Sequence, residues 1–186
     1  MTPSAIPPLE RSVSVSWDPE SAFRRFALQF AGWWPWRTHS IGGGRLKRVV
    51  FEPHAGGRIF EEHVDGRRFQ WGQVLEWEPP RRVKFTFHPA RPPETAQEVE
   101  VRFVPEGSGT RLELVATGWE KWGRKAQRAR RAYRAGWGYV LNVWAGRRTA
   151  GMGLLEAMGT VARFVEWLRG GTAAAIARAG GEITPG

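Results

Sequence analysis

Hydrophobic and polar residues alternate along most of the chain, which is typical of half-buried β-strands. At the start, Val13, Val15 and Trp17 alternate with serines. Turn signals separate six later runs, and Asp65-Gly66 between two of them is the strongest hairpin signal. The pattern predicts seven strands, at residues 11–17, 47–52, 58–64, 67–78, 82–88, 97–104 and 110–117.

Two segments instead carry apolar residues at helical spacing. Asp18 followed by Pro19 is a helix start, and the pattern predicts a helix over 19–31 that ends at Gly32, with 41–44 as a loop. Residues 120–148 are predicted to form a long amphipathic helix with Lys and Arg on its outer side. Its apolar stripe consists of Trp122, Ala126, Ala129, Tyr133, Trp137, Val140 and Trp144.

The order of these elements predicts an α+β fold in which the long helix covers one face of an antiparallel sheet. The other face is expected to meet water, because charged residues occupy every second position of the later strands. On that face we expect ion pairs across strands rather than acid–base chemistry. The expected partners are Glu98, Glu100 and Glu113 with Lys84, Arg102 and Arg111.

Length and composition indicate one domain with a sizeable core. The chain has 186 residues, of which 41% are hydrophobic and 11 are Trp. The absence of Cys excludes disulfides, thiol nucleophiles and thiolate metal sites. No stretch approaches the roughly 20 apolar residues of a membrane span, and the first residues lack the apolar core of a signal peptide. We therefore expect a cytoplasmic protein.

The net charge of +10 is concentrated in the last third of the sequence. Residues up to Gly118 contribute +2, and those from Trp119 onward contribute +8. Such a field attracts nucleic acid, an anionic surface or an acidic protein without distinguishing among them. The aromatic residues that would stack on bases are missing from the exposed side of the long helix. We therefore expect no specific nucleic-acid binding.

Three motifs carry a resemblance to a known family. They are Gly32-Trp33-Trp34-Pro35, the block at 71–87, and residues 109–114, and Gly136-Trp137 in the long helix also fits. Together they resemble the START-like, polyketide-cyclase-like (SRPBCC) superfamily. Within it, they are similar to the C-terminal domain of the activator of the Hsp90 ATPase. The resemblance covers roughly residues 10–148.

The resemblance implies a helix-grip fold, in which a curved antiparallel sheet of about seven strands wraps around the long C-terminal helix. It also implies a mostly apolar cavity between sheet and helix, which we expect to reach the roughly 300 Å³ of the smallest ligand sites. The domain is expected to span 10–148. Residues 1–9 are expected to be extended or disordered, and 149–186 to form a helical appendage with apolar spacing at 154–168 and a flexible tail.

The leading hypothesis is non-enzymatic binding of a small apolar or aromatic molecule in that cavity. Aromatic rings that cover a concave sheet need not fill the space completely, although a filled aromatic core is the commoner outcome. Tyr133 is the attractive polar member, because a buried hydroxyl needs a partner. The candidate ligand-binding residues are Trp33, Trp34, His63, Gln70, Trp71, Phe85, Tyr133, Trp137 and Trp144.

Two further hypotheses remain open. One is a co-chaperone-like or other protein-interaction module, with a place in the stress response, that uses the basic side of the long helix. The other is a cyclase or hydrolase that uses the same cavity, with His63 as a proton-transfer group; His88 is expected to face water. The resemblance supplies no catalytic residue. We expect no cofactor and no metal, because the four His lack ligand spacing, and either a monomer or a homodimer.

Overall fold

A seven-stranded antiparallel sheet forms one layer of the molecule, which we describe from a computed structural model over residues 6–147. The strands pair in the order β1-β7-β6-β5-β4-β3-β2, so the first strand lies beside the last. This curved sheet packs against a long C-terminal helix, which confirms the predicted α+β helix-grip fold. The strands are β1 (Leu9–Val15), β2 (Leu46–Phe51), β3 (Arg58–His63), β4 (Arg68–Glu78), β5 (Arg82–Phe87), β6 (Gln97–Glu106) and β7 (Gly109–Thr117).

The first helical region is interrupted, and this corrects the continuous helix predicted over 19–31. Asp18 caps it by accepting a hydrogen bond from Ser21 N–H at 2.9 Å. Its parts are α1 (Pro19–Phe23), a π-helical turn (Arg24–Leu28) and α2 (Phe30–Trp33), so it runs past Gly32. A short helix α3 (Trp36–His39) and a 3-10 turn (Gly43–Arg45) follow, the latter within the predicted loop.

The long helix is shorter than predicted and is broken near its start. A 3-10 segment (Trp119–Lys125) precedes the α-helix α4 (Ala126–Trp144). Gly123, within that segment, has φ +52°, a backbone conformation that residues other than glycine rarely adopt, and it kinks the chain before α4 begins. At the other end, the chain leaves the helix after Trp144, well before Arg148.

The core lies between the sheet and α4 and is made largely of aromatic rings. Trp144 is fully buried and meets the ring of Trp17 edge-on at 5.3 Å between centroids. Beneath Trp144, the ring centroids of Phe26 and Phe103 lie 5.8 Å apart. Rings in such edge-to-face arrangements fill the interior closely, so Trp144 of the predicted apolar stripe is ordinary core.

The outer face of the sheet carries the expected ion pairs, with one difference in geometry. Lys84 pairs with Glu98 at 2.9 Å across β5 and β6. Arg102 with Glu100, and Arg111 with Glu113, also pair, but each joins two residues of the same strand. These carboxylates therefore stabilise an exposed surface, as predicted.

His88 does not face water, and the prediction that it would was wrong. Only 5% of it is exposed, and its Nδ1 lies 2.9 Å from the carbonyl oxygen of Arg91. The alternation of Lys84 and Thr86 does not extend to it, because β5 ends at Phe87.

Two further expectations concern the C-terminal segment and membrane-spanning helices. The helical spacing predicted at 154–168 lies outside the described residues. Within 6–147, no helix has both the length and the apolar character needed to cross a membrane.

Candidate functional site

A small apolar cleft lies where the end of β5 meets the middle of α4. Its volume is about 50 Å³, and it is open on one side. It stands where a cavity was expected but is much smaller than the roughly 300 Å³ predicted. Its walls come from the α2–α3 region, the end of β5 with the loop after it, and α4. The lining residues are Trp34, His39, Ser40, Ile41, Phe87, Pro89, Ala90, Tyr133, Gly136, Trp137 and Val140.

Three buried rings form the floor of the cleft. The centroids of Phe87 and Trp137 are 5.2 Å apart, and those of Trp34 and Trp137 are 6.4 Å apart. Trp71 supports Trp34 from behind at 5.2 Å, and no part of it is exposed. The floor is therefore a packed aromatic surface that offers contact area to an apolar ligand.

The polar groups in the wall are uncharged at neutral pH. Burial raises the pKa of Tyr133 far above its ordinary value, against a smaller opposing effect of the Arg91 charge, so the hydroxyl keeps its proton. Burial lowers the pKa of His39 to about 4, which leaves its ring neutral at pH 7. That ring stacks on Tyr139, with 5.1 Å between centroids and 7° between planes.

A buried carboxylate holds the loop beside the cleft. Glu61 on β3 is fully buried and accepts hydrogen bonds from the backbone N–H groups of Ile41, at 2.8 Å, and Gly42, at 2.7 Å. His63 Nε2 lies 2.5 Å from the same carboxylate. A side chain on residue 42 would collide with the His63 ring at 2.4 Å, so glycine permits the close approach. The Glu61–His63 pair thus fixes the loop rather than lining the cleft.

The structure brings together only some of the predicted site residues. Trp34, Tyr133 and Trp137 line the cleft. The other six do not line it. Four are rings packed in the interior: Trp33 on Phe26, Trp71 behind Trp34, Phe85 on Phe51, and Trp144 beside Trp17. The two polar residues have other partners, since His63 pairs with Glu61 and Gln70 Nε2 donates to the Gly72 carbonyl at 3.3 Å.

Eight lining residues were absent from the predicted set. Phe87 and Val140 belonged to predicted apolar faces, so the sequence carried some signal for these two, whereas Ile41 was predicted only to lie in a loop. Gly136 belonged to a motif of the family resemblance, whereas His39, Ser40, Pro89 and Ala90 carry no pattern that separates them from other loop or helix positions.

The described residues also bear on metal binding. Between residues 6 and 147, no group of three or more His, Asp or Glu side chains is arranged to hold a metal ion.

The sequence relates this fold to known proteins. The family model "Activator of Hsp90 ATPase homolog 1-like protein" matches residues 27–143, which is more than half of the chain. The chain belongs to this family. None of the curated proteins matches it.

Several solved structures are similar to this member of the family. The anthrahydroquino-γ-pyrone synthase Txn09 is 36% identical, with a TM-score of 0.47, over 68% of this chain and 86% of that one. Protein MLL2253 from Mesorhizobium loti is 20% identical, with a TM-score of 0.54, over 75% and 95%. DynU16, from the dynemicin biosynthetic locus, is 15% identical, with a TM-score of 0.51, over 74% and 45%. The last two likenesses concern the fold alone.

Proposed function

We propose that this protein binds a small apolar or aromatic molecule in the cleft and catalyses no reaction on it. The observation that carries the proposal is the aromatic floor of Trp34, Phe87 and Trp137, open to solvent at one side. The family relationship supports it, because this fold commonly binds hydrophobic ligands. Within the described residues the Ser40 hydroxyl makes no hydrogen bond to the neighbouring His39 ring, so the lining holds no nucleophile paired with a base and binding alone is the simpler function.

The small volume restricts how a ligand enters. A cleft of about 50 Å³ accepts the edge of one ring, and the rest of a larger molecule stays in the open mouth. Deeper entry requires outward movement of the segments around Ser40 and Ala90, which lie outside the strands and helices. Movement at Ser40 is limited by the hydrogen bonds from Ile41 and Gly42 to Glu61.

Two glycines of α4 provide a matched test of this proposal. Gly136 lines the cleft, whereas Gly138 does not. An added methyl group at 138 would meet only the Arg11 side chain at an ordinary 3.5 Å. Both Gly→Ala changes favour the helix by up to about 1 kcal/mol, so helix stability does not distinguish them. Only Gly136→Ala adds a methyl group to a residue that lines the cleft, and we expect that group to narrow it.

The measurement is an NMR titration of the full chain with 2-naphthol, followed through the indole N–H signals of Trp34 and Trp137. We expect saturable shifts for the wild type and for Gly138→Ala, and at least threefold weaker binding for Gly136→Ala. A thermal midpoint that rises with 2-naphthol concentration is the independent readout. Unchanged indole signals at saturating probe would refute the proposal.

A second candidate function is supported by the outer side of the long helix. Arg124, Lys125, Arg131 and Arg134 are exposed, and within residues 6–147 none of them has a carboxylate partner. We propose that this surface, here called the basic face, docks on an acidic region of a protein. The family name suggests an Hsp90-type ATPase as the first partner to test.

The test adds this protein to an Hsp90 ATPase and measures the rate of ATP hydrolysis. We expect the rate to rise, and the rise to disappear when the four residues of the basic face are changed to Gln. Gly136→Ala is the matched control, because it alters the cleft and leaves the basic face unchanged. An equal rate with and without the protein would exclude this partner.

A further inference from the structure

Ser40 belongs to the cleft wall, and its buried hydroxyl has no hydrogen-bond partner within residues 6–147. Only 7% of this residue is exposed. Buried hydroxyls almost always form hydrogen bonds, since an unpaired one loses its bond to water and gains nothing in return. The hydroxyl oxygen has almost no solvent-accessible surface, so a ligand can pair with it only when the segment around Ser40 moves outward.

Hydrogen bonds hold the residues on both sides of Ser40. The preceding residue, His39, accepts a hydrogen bond from Trp34 Nε1 at its carbonyl oxygen, at 3.2 Å. The following residue, Ile41, donates its N–H to Glu61 at 2.8 Å. These bonds limit the outward movement that a ligand needs to reach the hydroxyl.

The remaining walls exclude charge. No Lys, Arg, Asp or Glu lines the cleft within the described part of the chain. The His39 ring is neutral at pH 7, because burial lowers its pKa to about 4. A carboxylate placed there would lose its hydration and meet no cation in the lining, since the Arg91 charge acts on Tyr133 from outside it, and this loss is a large cost.

We propose that Ser40 determines the specificity of the cleft, and that the ligand is a neutral aromatic compound with a phenolic hydroxyl or ring carbonyl at its inner end. This inference rests on the proposed binding function. A plain hydrocarbon of the same shape leaves the Ser40 hydroxyl unpaired, and a carboxylate leaves its own charge unpaired. A neutral ring with a hydroxyl or carbonyl oxygen pairs with the Ser40 hydroxyl and brings no charge that would stay unpaired.

Three probes of one ring size test the inference: 2-naphthol, 2-methylnaphthalene and 2-naphthoate. A purely apolar cleft would prefer 2-methylnaphthalene, because its methyl group is more hydrophobic than a hydroxyl. We expect the wild type to reverse this order and to bind 2-naphthol about fivefold more tightly, the effect of one net hydrogen bond. We expect 2-naphthoate to bind most weakly.

The decisive variant is Ser40→Ala, with Ser14→Ala on the exposed side of β1 as the matched control. We expect Ser40→Ala to prefer 2-methylnaphthalene, and Ser14→Ala to keep the wild-type order. Because the Ser40 hydroxyl makes no bond within residues 6–147, its removal should not lower the thermal midpoint. A changed order therefore reflects lost recognition rather than unfolding.

The possible results separate this inference from the binding function. Binding of all three probes with an order that Ser40→Ala leaves unchanged would overturn the inference and leave the binding function intact. Tightest binding of 2-naphthoate would overturn the expected neutrality of the ligand. Failure of every probe to bind the wild type would overturn both.

Discussion

The two sides of helix α4 differ in burial and in charge. The inner side is buried and uncharged, and it presents Tyr133, Trp137 and Val140 to the cleft. The outer side is exposed and, together with the 3-10 segment before it, carries the basic face, whose four cations have no carboxylate partners within the described residues. One helix thus separates a candidate ligand site from a candidate protein-docking surface, so substitutions on one side should leave the other unaffected.

The largest expected difference between the two sides is in stability. Trp137 is 4% exposed and contacts Trp34 and Phe87, so Trp137→Ala should lower the free energy of unfolding by about 3–5 kcal/mol. Arg131→Ala, on the exposed side, should change it by less than about 0.5 kcal/mol. Urea denaturation measures both. A loss below about 1 kcal/mol for Trp137→Ala would mean that the helix is not docked through this side.

A smaller effect is expected in how the free energy of unfolding depends on pH, because His39 lies in the cleft wall that faces the inner side of α4. Burial lowers the pKa of His39 to about 4, so between about pH 6.5 and 4 the unfolded chain binds a proton that the folded chain does not. Stability should therefore be complete above pH 6.5 and fall progressively as the pH drops through this window. Burial also lowers the pKa of His88, so this residue should likewise reduce the free energy of unfolding as the pH falls.

The variant His39→Phe isolates the contribution of His39, because Phe keeps a ring that can stack on Tyr139. We expect the free energy of unfolding to fall less between pH 7 and pH 5 in this variant than in the wild type. Denaturant titrations at the two pH values provide the comparison. An equal fall in both proteins would show that the His39 ring accepts a proton as readily in the folded state as in the unfolded chain.

Most of the fold could be predicted because strand alternation and helical spacing depend on local sequence. The prediction was wrong where a pattern continued past the element that produced it. The alternation reaches His88 although β5 ends at Phe87. The apolar stripe of the long helix passes through Gly123, where the backbone leaves the helical conformation.

The candidate site was harder to predict because its walls come from distant parts of the chain. Ser40 and Ala90 meet α4 only through the tertiary packing, and neither has a distinctive pattern around it. Trp71 and Trp144 have the composition expected of a pocket, but neighbouring rings enclose them completely. Composition indicated an aromatic interior, and only the packing shows which rings reach the cleft.

The smallest expected effect concerns nucleic acid at the basic face. Exposed cations attract phosphates without reading a sequence, and each phosphate contact makes affinity depend on salt. If the four residues of the basic face each contact one phosphate, affinity for duplex DNA should fall about 100-fold between 0.05 and 0.2 M salt. We expect weak binding at low salt, equal for unrelated sequences, and a reduced salt dependence when Arg124, Lys125, Arg131 and Arg134 are changed to Gln.

Fluorescence anisotropy with two labelled duplexes measures this, and 2-naphthol binding to the same variant should match the wild type. Tight binding that persists at 0.2 M salt and favours one duplex would instead indicate a specific nucleic-acid site on the outer side of the helix.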